Sequence, residues 1–432
     1  MTTDANALPK PAALLPVPPA ALSHLRVLDL SRVLAGPWAS LMLADLGAEV
    51  LKIEHPDRGD DTRGWGPPYA NDAEGQPVES AYFLCANRNK QSVAVDIATP
   101  AGQALVRELA LASDVLIENF KVGGLARYGL DYATLSQLNP RLVYCSITGF
   151  GQSGPYAQRP GHDFMIQGLG GLMSLTGLPD GEPGGGPMKV GVALTDVLTG
   201  LHAVSGILAA LAWRERSGEG QHLDLALLDV QVSCLANQAM NQLVTGHSPQ
   251  RLGNAHPSIV PYQDVPTADG DMILAVGNDS QFASFCRASG QPQWAADPRF
   301  ATNPARVANR GVLLPLLRQL SVQRTTAEWI ALLERANVPC GPINTLEQVF
   351  ADPQVIARGL ARALPHPVLG SVPTVASPLR LSKTPVRYSH AAPALGADTA
   401  AVMARHPSPS TAPNAPPTAS TTTTRITTET LT

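Results

Sequence analysis

The sequence predicts an α/β protein built on a doubly wound, mostly parallel sheet, with a smaller α+β domain beside it. Two observations support this prediction. Between residues 26 and 150, short apolar strands alternate with helical segments, which is the pattern of a parallel sheet with crossover helices. From about residue 226 the pattern changes to helices around one hairpin, which indicates a second domain within a chain of 432 residues.

The first strand–helix–strand unit lies between residues 26 and 55. RVLDL predicts a short buried strand, and EVLKIE predicts the next one. The helix between them is expected to begin at Pro37, because proline lacks the amide proton that would be unsatisfied at a helix start. Gly47 is expected to end this helix.

The same rhythm continues along the chain. The further elements predicted for the sheet domain are a helix at 100–112, the strand DVLIENF, the helix YATLSQL, the strand RLVYCSITGF, a long helix after Asp196 and the strand QHLDLALLD. Those predicted for the second domain are a helix at 226–245, a hairpin of PYQDVPT and MILAVG around ADGD, and helices near 280–289 and 308–320.

These patterns divide the chain into two domains and two tails. The large domain is expected to cover residues 21–222 and, where the chain returns to it, 335–403, with the small α+β domain at 223–334. Residues 1–20 are rich in alanine and proline, and residues 404–432 are rich in proline, serine and threonine. Because both segments lack the apolar residues of a core, we expect them to be disordered tails.

The composition excludes several classes of protein. A net charge of -4 without a basic block argues against nucleic-acid binding, which needs clustered lysine and arginine. The apolar stretch at residues 197–213 carries His202 and ends at charged residues, so we expect a buried helix and no membrane span. Five scattered cysteines favour a reducing compartment, and hence the cytoplasm. The histidines form no HExxH pair that would indicate a metal site.

Two glycine-containing loops adjoin the predicted elements. SRVLAGP lacks the GxGxxG pattern of dinucleotide sites, so it is either an ordinary strand-to-helix turn or a backbone anion site at a helix N-terminus. The loop at residues 168–187 is either a flexible connection or a mobile cover over an active site. Composition leaves both alternatives open.

Several charged side chains stand where chemistry is expected. Asp196 precedes the long apolar helix and is either its N-cap or a nucleophile that attacks a thioester. His162 and Asp163 also precede a helix, as either a cap with a surface histidine or a catalytic pair. Lys121 and Arg127 follow a predicted strand, at the edge where open α/β sheets bind ligands. They suit either a phosphate-rich ligand or a solvated loop.

Nine segments in this order resemble the class III CoA-transferase family, which includes formyl-CoA transferase, carnitine CoA-transferase, succinate–hydroxymethylglutarate CoA-transferase and α-methylacyl-CoA racemase. The resemblance covers about residues 22–402. The segments are VLDLSRVLAGPWASLMLADLGAEVLKIEHP, GDDTRGWGPP, ANRNKQSVAVDI, DVLIENFKVGGLARYGLDY, NPRLVYCSITGFGQSGPY, GHDFMIQGLGGLMSLTG, GVALTDVLTG, SGEGQHLDLALLD and VPCGPIN.

The resemblance implies a Rossmann-like large domain, a smaller domain, and a homodimer whose subunits thread through one another as interlocked rings. It implies that an acyl-CoA thioester is a substrate and that no metal or redox cofactor takes part. By motif match, Asp196 is the nucleophile and Asp163 a second active-site acid. The residues matched to CoA contacts are Leu34, Ala35, His55 (often arginine in the family), Asn119, Phe120, Lys121 and Arg127.

The reaction implied by the resemblance moves CoA from one carboxylic acid to another, through an aspartyl anhydride and an aspartyl-CoA thioester on Asp196. An alternative on the same fold is an α-methylacyl-CoA racemase, in which His162 and Asp196 exchange the α-proton. A non-catalytic CoA-ester-binding protein is an alternative of another class.

The segment GNAHPSIVPYQ resembles the branch of the family that uses succinyl-CoA and short dicarboxylic acids. AHPSIV stands where formyl-CoA transferases have a glycine-rich substrate loop, which argues against oxalate as the acceptor. A monocarboxylic acceptor in an apolar pocket and an aromatic acid are the alternatives. The second carboxylate of such an acid stays ionised and needs a cationic or amide-rich partner. The candidate partners are Arg88, His162, Arg251 and His256.

Overall fold

The computed structural model describes residues 20–406. The predicted tails lie outside the described residues, apart from the buried Ala20 and residues 404–406 at the end of the last helix. The strands are β1 (Arg26–Asp29), β2 (Glu49–Glu54), β3 (Tyr69–Asn71), β4 (Pro77–Ser80), β5 (Gln91–Ala94), β6 (Val115–Glu118), β7 (Val143–Thr148), β8 (His222–Ala226), β9 (Tyr262–Pro266), β10 (Asp271–Ala275), β11 (Cys340–Pro342), β12 (Ala361–His366) and β13 (Gly370–Val375).

The helices alternate with these strands in the first half of the chain and dominate the second half. They are α1 (Ala35–Asp45), α2 (Ala81–Ala86), α3 (Pro100–Leu111), α4 (Tyr132–Leu138), α5 (Asp163–Leu169), α6 (Leu172–Leu175), α7 (Leu194–Ser217), α8 (Leu227–Ser233), α9 (Ala236–Thr245), α10 (Asp279–Ala288), α11 (Pro292–Ala296), α12 (Asn303–Ala308), α13 (Arg310–Ser321), α14 (Thr326–Arg335), α15 (Leu346–Ala351), α16 (Pro353–Ala357) and α17 (Thr399–Arg405). Short 3₁₀ helices lie at Asp61–Gly64 and Ala126–Tyr128.

Six parallel strands form the central sheet, in the order β5-β2-β1-β6-β7-β8. Apolar side chains cover both faces, as is usual for a parallel sheet between two layers of helices. One core contains Ala203 and Ile207 of α7, and the other contains Leu109 of α3, Leu135 of α4 and Val402 of α17. The predicted α/β fold with a mostly parallel sheet is confirmed.

The first predicted helix differs slightly from the structure at its start. It begins at Ala35, so Pro37 lies inside its first turn. Its end at Gly47 agrees with the prediction, since Gly47 has a φ of 103° and a Cβ there would lie 2.2 Å from the Cβ of Ala20. Only glycine combines this conformation with this close approach.

The second domain is built on an antiparallel sheet in the order β11-β10-β9, with Phe282, Trp329 and Leu333 in its core. The predicted hairpin is confirmed as β9 and β10. The single helix predicted at 226–245 is wrong. The structure has α8 and α9 there, because the chain leaves the helical path before Ala236, whose φ is 46°.

Two predicted domain boundaries also differ from the structure. β8 is a strand of the central sheet and Leu227 packs in the same core, so the large domain extends past residue 222. β11 pairs with β10, so the small domain extends past residue 334, to Pro342. In both places the boundary depends on strand pairing between distant segments, which local sequence patterns do not reveal.

The last described segment packs against the large domain. The amide of Ser92 donates to Asp398 at 2.9 Å, and the amide of Ala94 donates to Thr399 at 2.9 Å, so the start of α17 is bound to the edge strand β5. Among residues 20–406, α7 is long and apolar enough to cross a membrane, with a mean hydropathy of 1.5. One face of it packs against α1 and β7 in the core, whereas Leu201, Leu208 and Trp213 are exposed, so the helix is buried only in part.

Candidate active site

The winding direction of the central sheet reverses between β1 and β6. The chain runs from β1 through β2 to β5 on one side, and from β6 through β7 to β8 on the other. The loops that follow β1 and β6 therefore leave the sheet side by side at its carboxyl edge. This is the position at which open α/β sheets bind their ligands.

A cavity of about 320 Å³ lies at this edge, between the loops that follow β1, β2, β5 and β6. Its lining includes the basic side chains of Arg32, His55, Arg58 and Arg127 and the apolar side chains of Leu30, Ile97 and Phe120. It also includes the acidic side chains of Glu54, Asp60 and Asp96, of which Glu54 is paired with Arg63 and Asp60 with Lys52. Cations beside apolar side chains suit an anionic ligand that also carries a flat, apolar group.

Two arginines of the cavity keep donor groups that have no hydrogen-bond acceptor among the described residues. The guanidinium of Arg127 lies 4.5 Å from the ring centroid of Tyr128 and, within residues 20–406, forms no ion pair. Arg32 pairs through Nη1 with Asp61 at 2.9 Å, while its buried Nε has no hydrogen-bond partner in the same described range. A buried donor without a partner is unfavourable, so a ligand acceptor at this position is expected to stabilise the site.

Asn119 and Glu118 fix the loop that follows β6. Asn119 accepts a hydrogen bond from the amide of Arg32 at 3.0 Å and donates one to the carbonyl of Arg32 at 2.7 Å. It therefore joins the β1 and β6 loops. Glu118 accepts a hydrogen bond from the amide of Phe120 at 2.8 Å, and burial raises the pKa of Glu118 to about 7.

Asp196 lies in the first turn of α7, with 9% of its surface exposed. The helix begins before it, at Leu194, so of the two alternatives for Asp196 the N-cap is wrong. Asp163 supplies the cap instead. Its Oδ1 accepts hydrogen bonds from the amides of Thr195 at 2.8 Å and Asp196 at 3.3 Å, which satisfies amides that have no partner within the helix. The carboxylate of Asp196 is thereby left available for chemistry.

Two buried glutamines hold this arrangement in place. Gln167 donates from Nε2 to Oδ2 of Asp163 at 2.7 Å and accepts a hydrogen bond from the amide of Val190 at 2.9 Å. The hydroxyl of Thr195 donates to Gln231 at 2.6 Å. Residues from α5, the loop before α7, α7 itself and α8 thus form one hydrogen-bonded network around the two acids.

The electrostatics of this network raise two pKa values. Burial raises the pKa of Asp196 to about 7, and the negative charge of Asp163 adds to the rise. Burial also raises the pKa of Tyr82 to about 12, with a contribution from the charges of Asp196 and Asp163. The negative charges of the two acids therefore act on the phenol of Tyr82. This ring packs edge-on against Trp65, with 5.2 Å between the ring centroids.

The acid pair and the basic cavity are connected through the start of α1. Gly200 lies one turn after Asp196 on α7, and a Cβ there would lie 2.9 Å from the carbonyl oxygen of Ala35 and 3.0 Å from the side chain of Trp38. Glycine therefore lets α7 approach α1 closely. Leu34 and Ala35 follow Arg32, which lines the cavity, closely in the chain, and the carbonyl of Ala35 lies against α7 at Gly200.

Most of the predicted site residues lie either at the basic cavity or beside the pair of Asp163 and Asp196. His55, Phe120 and Arg127 line the cavity, and Asn119 holds its loops together. The side chain of Lys121 is exposed and lies outside the cavity lining, and its contact with CoA stays a prediction. His162, by contrast, is next to the acid pair as the exposed N-cap residue of α5.

Three of the predicted carboxylate anchors are engaged elsewhere. The guanidinium of Arg88 is buried in an ion pair with Asp45 at 2.5 Å and also donates to the carbonyl of Val375 at 2.9 Å, so it is a structural group. Arg251 pairs with Asp180 in the glycine-rich loop. His256 accepts a hydrogen bond from the amide of Ser258 at 3.0 Å and packs edge-on against Tyr262 in the small domain. Within residues 20–406, none of these three contacts the acid pair.

Sequence reasoning missed other residues of the site. Arg32 and Arg58 follow β1 and β2 directly, so their position after parallel strands was a usable signal. Gln167 lies four residues after Asp163 on the same helix, which is a spacing that favours a side-chain hydrogen bond. Tyr82 and Gln231 had no such local signal, because tertiary packing brings them to the acids.

Comparison with known proteins agrees with this architecture. The family model described as CoA-transferase family III matches residues 22–399. The chain is similar to succinate–glutarate CoA-transferase of Agrobacterium fabrum, with 53% identity over 383 residues that cover 89% of this chain and 95% of that protein. It is also similar to succinyl-CoA:glutarate CoA-transferase of Mus musculus, with 43% identity over 382 residues covering 88% and 85% of the two chains.

A solved structure supports the same relationship. The crystal structure of a CAIB/BAIF family protein from Brucella suis matches with a TM-score of 0.79 and 49% identity, and the match covers 89% of this chain and 99% of that one. The resemblance inferred from the nine sequence segments is therefore confirmed. The chain belongs to CoA-transferase family III, and it is a CoA-transferase.

Proposed function

We propose that this enzyme moves CoA from succinyl-CoA to a short dicarboxylic acid, that glutarate is the first candidate acceptor, and that Asp196 is the nucleophile. The relatives from Agrobacterium fabrum and Mus musculus, which are named as succinate–glutarate and succinyl-CoA:glutarate CoA-transferases, support this choice of substrates. One observation carries the mechanism. A buried carboxylate, Asp196, stands in the first turn of α7, and it is left uncommitted because Asp163 caps the helix in its place.

The proposed chemistry exchanges one activated acyl group for another. The Asp196 carboxylate attacks the thioester carbonyl of succinyl-CoA, and the CoA thiolate leaves, which gives a succinyl-aspartyl anhydride. The thiolate then attacks the aspartyl carbonyl and releases succinate, which leaves CoA as a thioester on Asp196. The acceptor carboxylate displaces the thiolate to form a second anhydride, and the thiolate attacks the acceptor carbonyl. The products are the new acyl-CoA and free Asp196.

The environment of Asp196 supports this role. A pKa of about 7 makes its carboxylate more basic, and so more nucleophilic, than a carboxylate in water, while leaving much of it ionised at neutral pH. The N-terminus of α7 carries a partial positive charge that favours an anion there. We assign stabilisation of the tetrahedral oxyanions to backbone amides near Leu34 and Ala35 at the start of α1.

We assign the basic cavity to the nucleotide part of CoA. Arg32 and Arg127 offer donors without protein acceptors to its phosphates, and Phe120 offers an apolar face to the base. The bound thioester then runs past Leu34 and Ala35 to Asp196. Of the four candidates for binding the second carboxylate of the acid, His162 adjoins the acid pair and keeps that role in the proposal.

The proposal includes an interlocked homodimer in the cytoplasm. Met240, Leu243 and Val244 of α9 are 55%, 77% and 76% exposed, and such an apolar stripe on a soluble chain suits burial against a second subunit. The cysteines, which are free in the described residues, suit a reducing compartment. No metal or redox cofactor takes part in the proposed steps.

A competition assay tests the substrate proposal. The enzyme is incubated with succinyl-CoA and equal concentrations of glutarate and butyrate, and the acyl-CoA products are separated by mass. We expect glutaryl-CoA to predominate. A clear preference for butyrate, or no reaction of succinyl-CoA, would refute the dicarboxylate assignment.

A second assay separates the transferase from the racemase that uses His162 and Asp196. A chiral 2-methylacyl-CoA is incubated with the enzyme in deuterated water. We expect no deuterium at the α-carbon and no loss of chirality. Exchange at a rate that exceeds transfer would instead favour the racemase.

A further inference from the structure

Val33, in the loop between β1 and α1, has a backbone conformation that its residue type disfavours. Its φ is 72°, in the left-handed region, where a β-branched side chain is strained. The loop changes direction at this residue. Arg32 before it lines the cavity, and Leu34 and Ala35 after it lead into α1. Strained residues of this kind persist only where their surroundings hold them.

Asp60 binds the backbone of Val33 and so stabilises this conformation. The amide of Val33 donates to both carboxylate oxygens of Asp60, at 3.2 and 3.3 Å. Asp60 in turn forms an ion pair with Lys52 at 2.8 Å, and both side chains are fully buried. Lys52 also donates to the carbonyl of Ser31 at 2.9 Å. The buried ion pair of Lys52 and Asp60 therefore binds the loop backbone at two points, the carbonyl of Ser31 and the amide of Val33.

We propose that Asp60 is a positioning residue, which together with Lys52 holds Val33 in the left-handed conformation and thereby sets where Leu34 and Ala35 stand relative to Asp196. This inference rests on the proposed function of Asp196 and of the loop. If Val33 relaxed to a negative φ, the peptide groups after it would rotate. The carbonyl of Ala35, which fits closely against Gly200 on the helix of Asp196, would then shift.

The compactness of the loop explains why a small rotation matters. A Cβ at Gly36 would lie 2.2 Å from Oγ of Ser31, so the first turn of α1 already touches the start of the loop. There is little space to absorb a changed backbone direction. A thioester bound along Leu34 and Ala35 would therefore be displaced from Asp196, and displacements of about 1 Å lower the rate of such reactions by about 100-fold.

Two substitutions at Val33 test the inference without touching the buried ion pair. Val33→Gly keeps the amide and accepts a φ of 72° without strain. Val33→Pro fixes φ near about -65° and removes the amide proton. With succinyl-CoA and glutarate, we expect Val33→Gly to keep kcat within about threefold of the wild type, and Val33→Pro to lose about 100-fold in kcat. We expect the KM for succinyl-CoA to change less than kcat.

A rescue experiment covers the case in which Val33→Pro does not fold. Asp60→Asn weakens the hold on Val33 and leaves Lys52 without its ion pair, so both kcat and Tm are expected to fall. Adding Val33→Gly to Asp60→Asn is expected to restore most of kcat, because glycine adopts the left-handed conformation without a hydrogen bond to residue 60. Tm is not expected to recover, because Lys52 still lacks its ion pair with Asp60. If Asp60 only stabilised the fold, kcat would fall in parallel with Tm in Asp60→Asn, and adding Val33→Gly would not restore it.

The outcomes separate this inference from the function on which it rests. If the wild type transfers CoA and Val33→Pro, or Asp60→Asn alone, keeps full kcat, the inference is wrong and the proposed function stands. If the glycine substitution fails to rescue a folded Asp60→Asn variant, the inference is also wrong. If the wild type neither transfers CoA nor binds it in calorimetry, the proposed function and this inference both fail.

Discussion

The carboxylate of Asp163 accepts a hydrogen bond from the backbone amide of Asp196, at 3.3 Å. This contact gives the two acids different roles. Asp163 is held by Gln167 and by the amides at the start of α7, so its carboxylate is engaged in hydrogen bonds. Asp196, beside that charge and buried, has a pKa of about 7. The pair therefore combines a fixed structural anion with a basic, uncommitted carboxylate.

Asp196→Asn is expected to lower the rate of CoA transfer by about 10³-fold or more, because the amide has the same shape but is a poor nucleophile. The initial rate of glutaryl-CoA formation measures this. Asp57, an exposed aspartate, provides the matched control as Asp57→Asn, which is expected to keep wild-type activity. A variant at Asp196 that retained a large share of the turnover would show that the nucleophile lies elsewhere.

The same variant has an expected effect on stability. Folding raises the pKa of Asp196 above its unfolded value of 3.8. The associated stability is therefore fully present below about pH 4 and is lost as the pH rises through about 7. At pH 8, Asp196→Asn is expected to increase the free energy of unfolding by about 1–3 kcal/mol. Urea denaturation at pH 8 and pH 4 checks this, and a loss of stability at pH 8 would contradict the raised pKa.

The pH dependence of transfer is expected to follow the ionisation of Asp196. Below about pH 7, kcat/KM for succinyl-CoA should fall about tenfold per pH unit, because the protonated carboxyl group does not attack the thioester. Rates measured between pH 5 and pH 9 at constant ionic strength check this. A profile that stays flat down to pH 5 would mean that the carboxylate is ionised throughout that range.

Asp163→Asn is expected to move this profile towards lower pH. The asparagine keeps an oxygen that can accept the amides of α7, but it removes the negative charge that raises the pKa of Asp196. The midpoint of kcat/KM should therefore lie below that of the wild type. Circular dichroism establishes that the variant is folded, and a midpoint that rises or stays in place would contradict the electrostatic role of Asp163.

Arg127→Ala is expected to weaken binding of succinyl-CoA by about 1–3 kcal/mol, because it removes a charge-assisted contact to a phosphate. Lys121 is in the same loop and carries the same charge, but it lies outside the cavity lining. Lys121→Ala therefore serves as the matched control and should change CoA affinity much less. Calorimetric titration with CoA compares the two. Equal losses would indicate a diffuse electrostatic effect in place of a specific contact.

Leu243→Asp is expected to favour the monomer, because it places a charge on the exposed apolar stripe of α9 that we assign to the dimer interface. Leu111→Asp, at an exposed apolar position on α3, is the control. Light scattering after gel filtration measures the mass of each variant. A wild type that is an active monomer at micromolar concentration would contradict the interlocked dimer.

The fold was predictable from sequence because its signals are local. Buried strands such as β1 and β2 are short apolar runs, and Gly47 marks a helix end within the same segment. The break before Ala236 was missed, because apolar periodicity continues through it. The extent of each domain was missed for another reason. β11 joins its sheet through partners that are distant in sequence.

The site was predictable only in part. The motifs gave Asp196, Asp163 and Arg127 as candidates, but they did not show that Asp163 caps α7, since the two acids come together only in the folded chain. Arg88 illustrates the opposite error. A lone cation in a sequence suggests an anion site, yet here the cation is neutralised by Asp45, an acid on another helix.

The hydrogen bond from Thr195 to Gln231 also bears on how the enzyme is made. During translation, α7 with Asp196 leaves the ribosome before α8 does. The hydroxyl of Thr195 therefore cannot donate to Gln231 until α8 has been synthesised. A nascent chain that stops before α8 therefore carries both acids without their full support. The hydrogen-bonded network around Asp196 is therefore complete only after α8 has been synthesised.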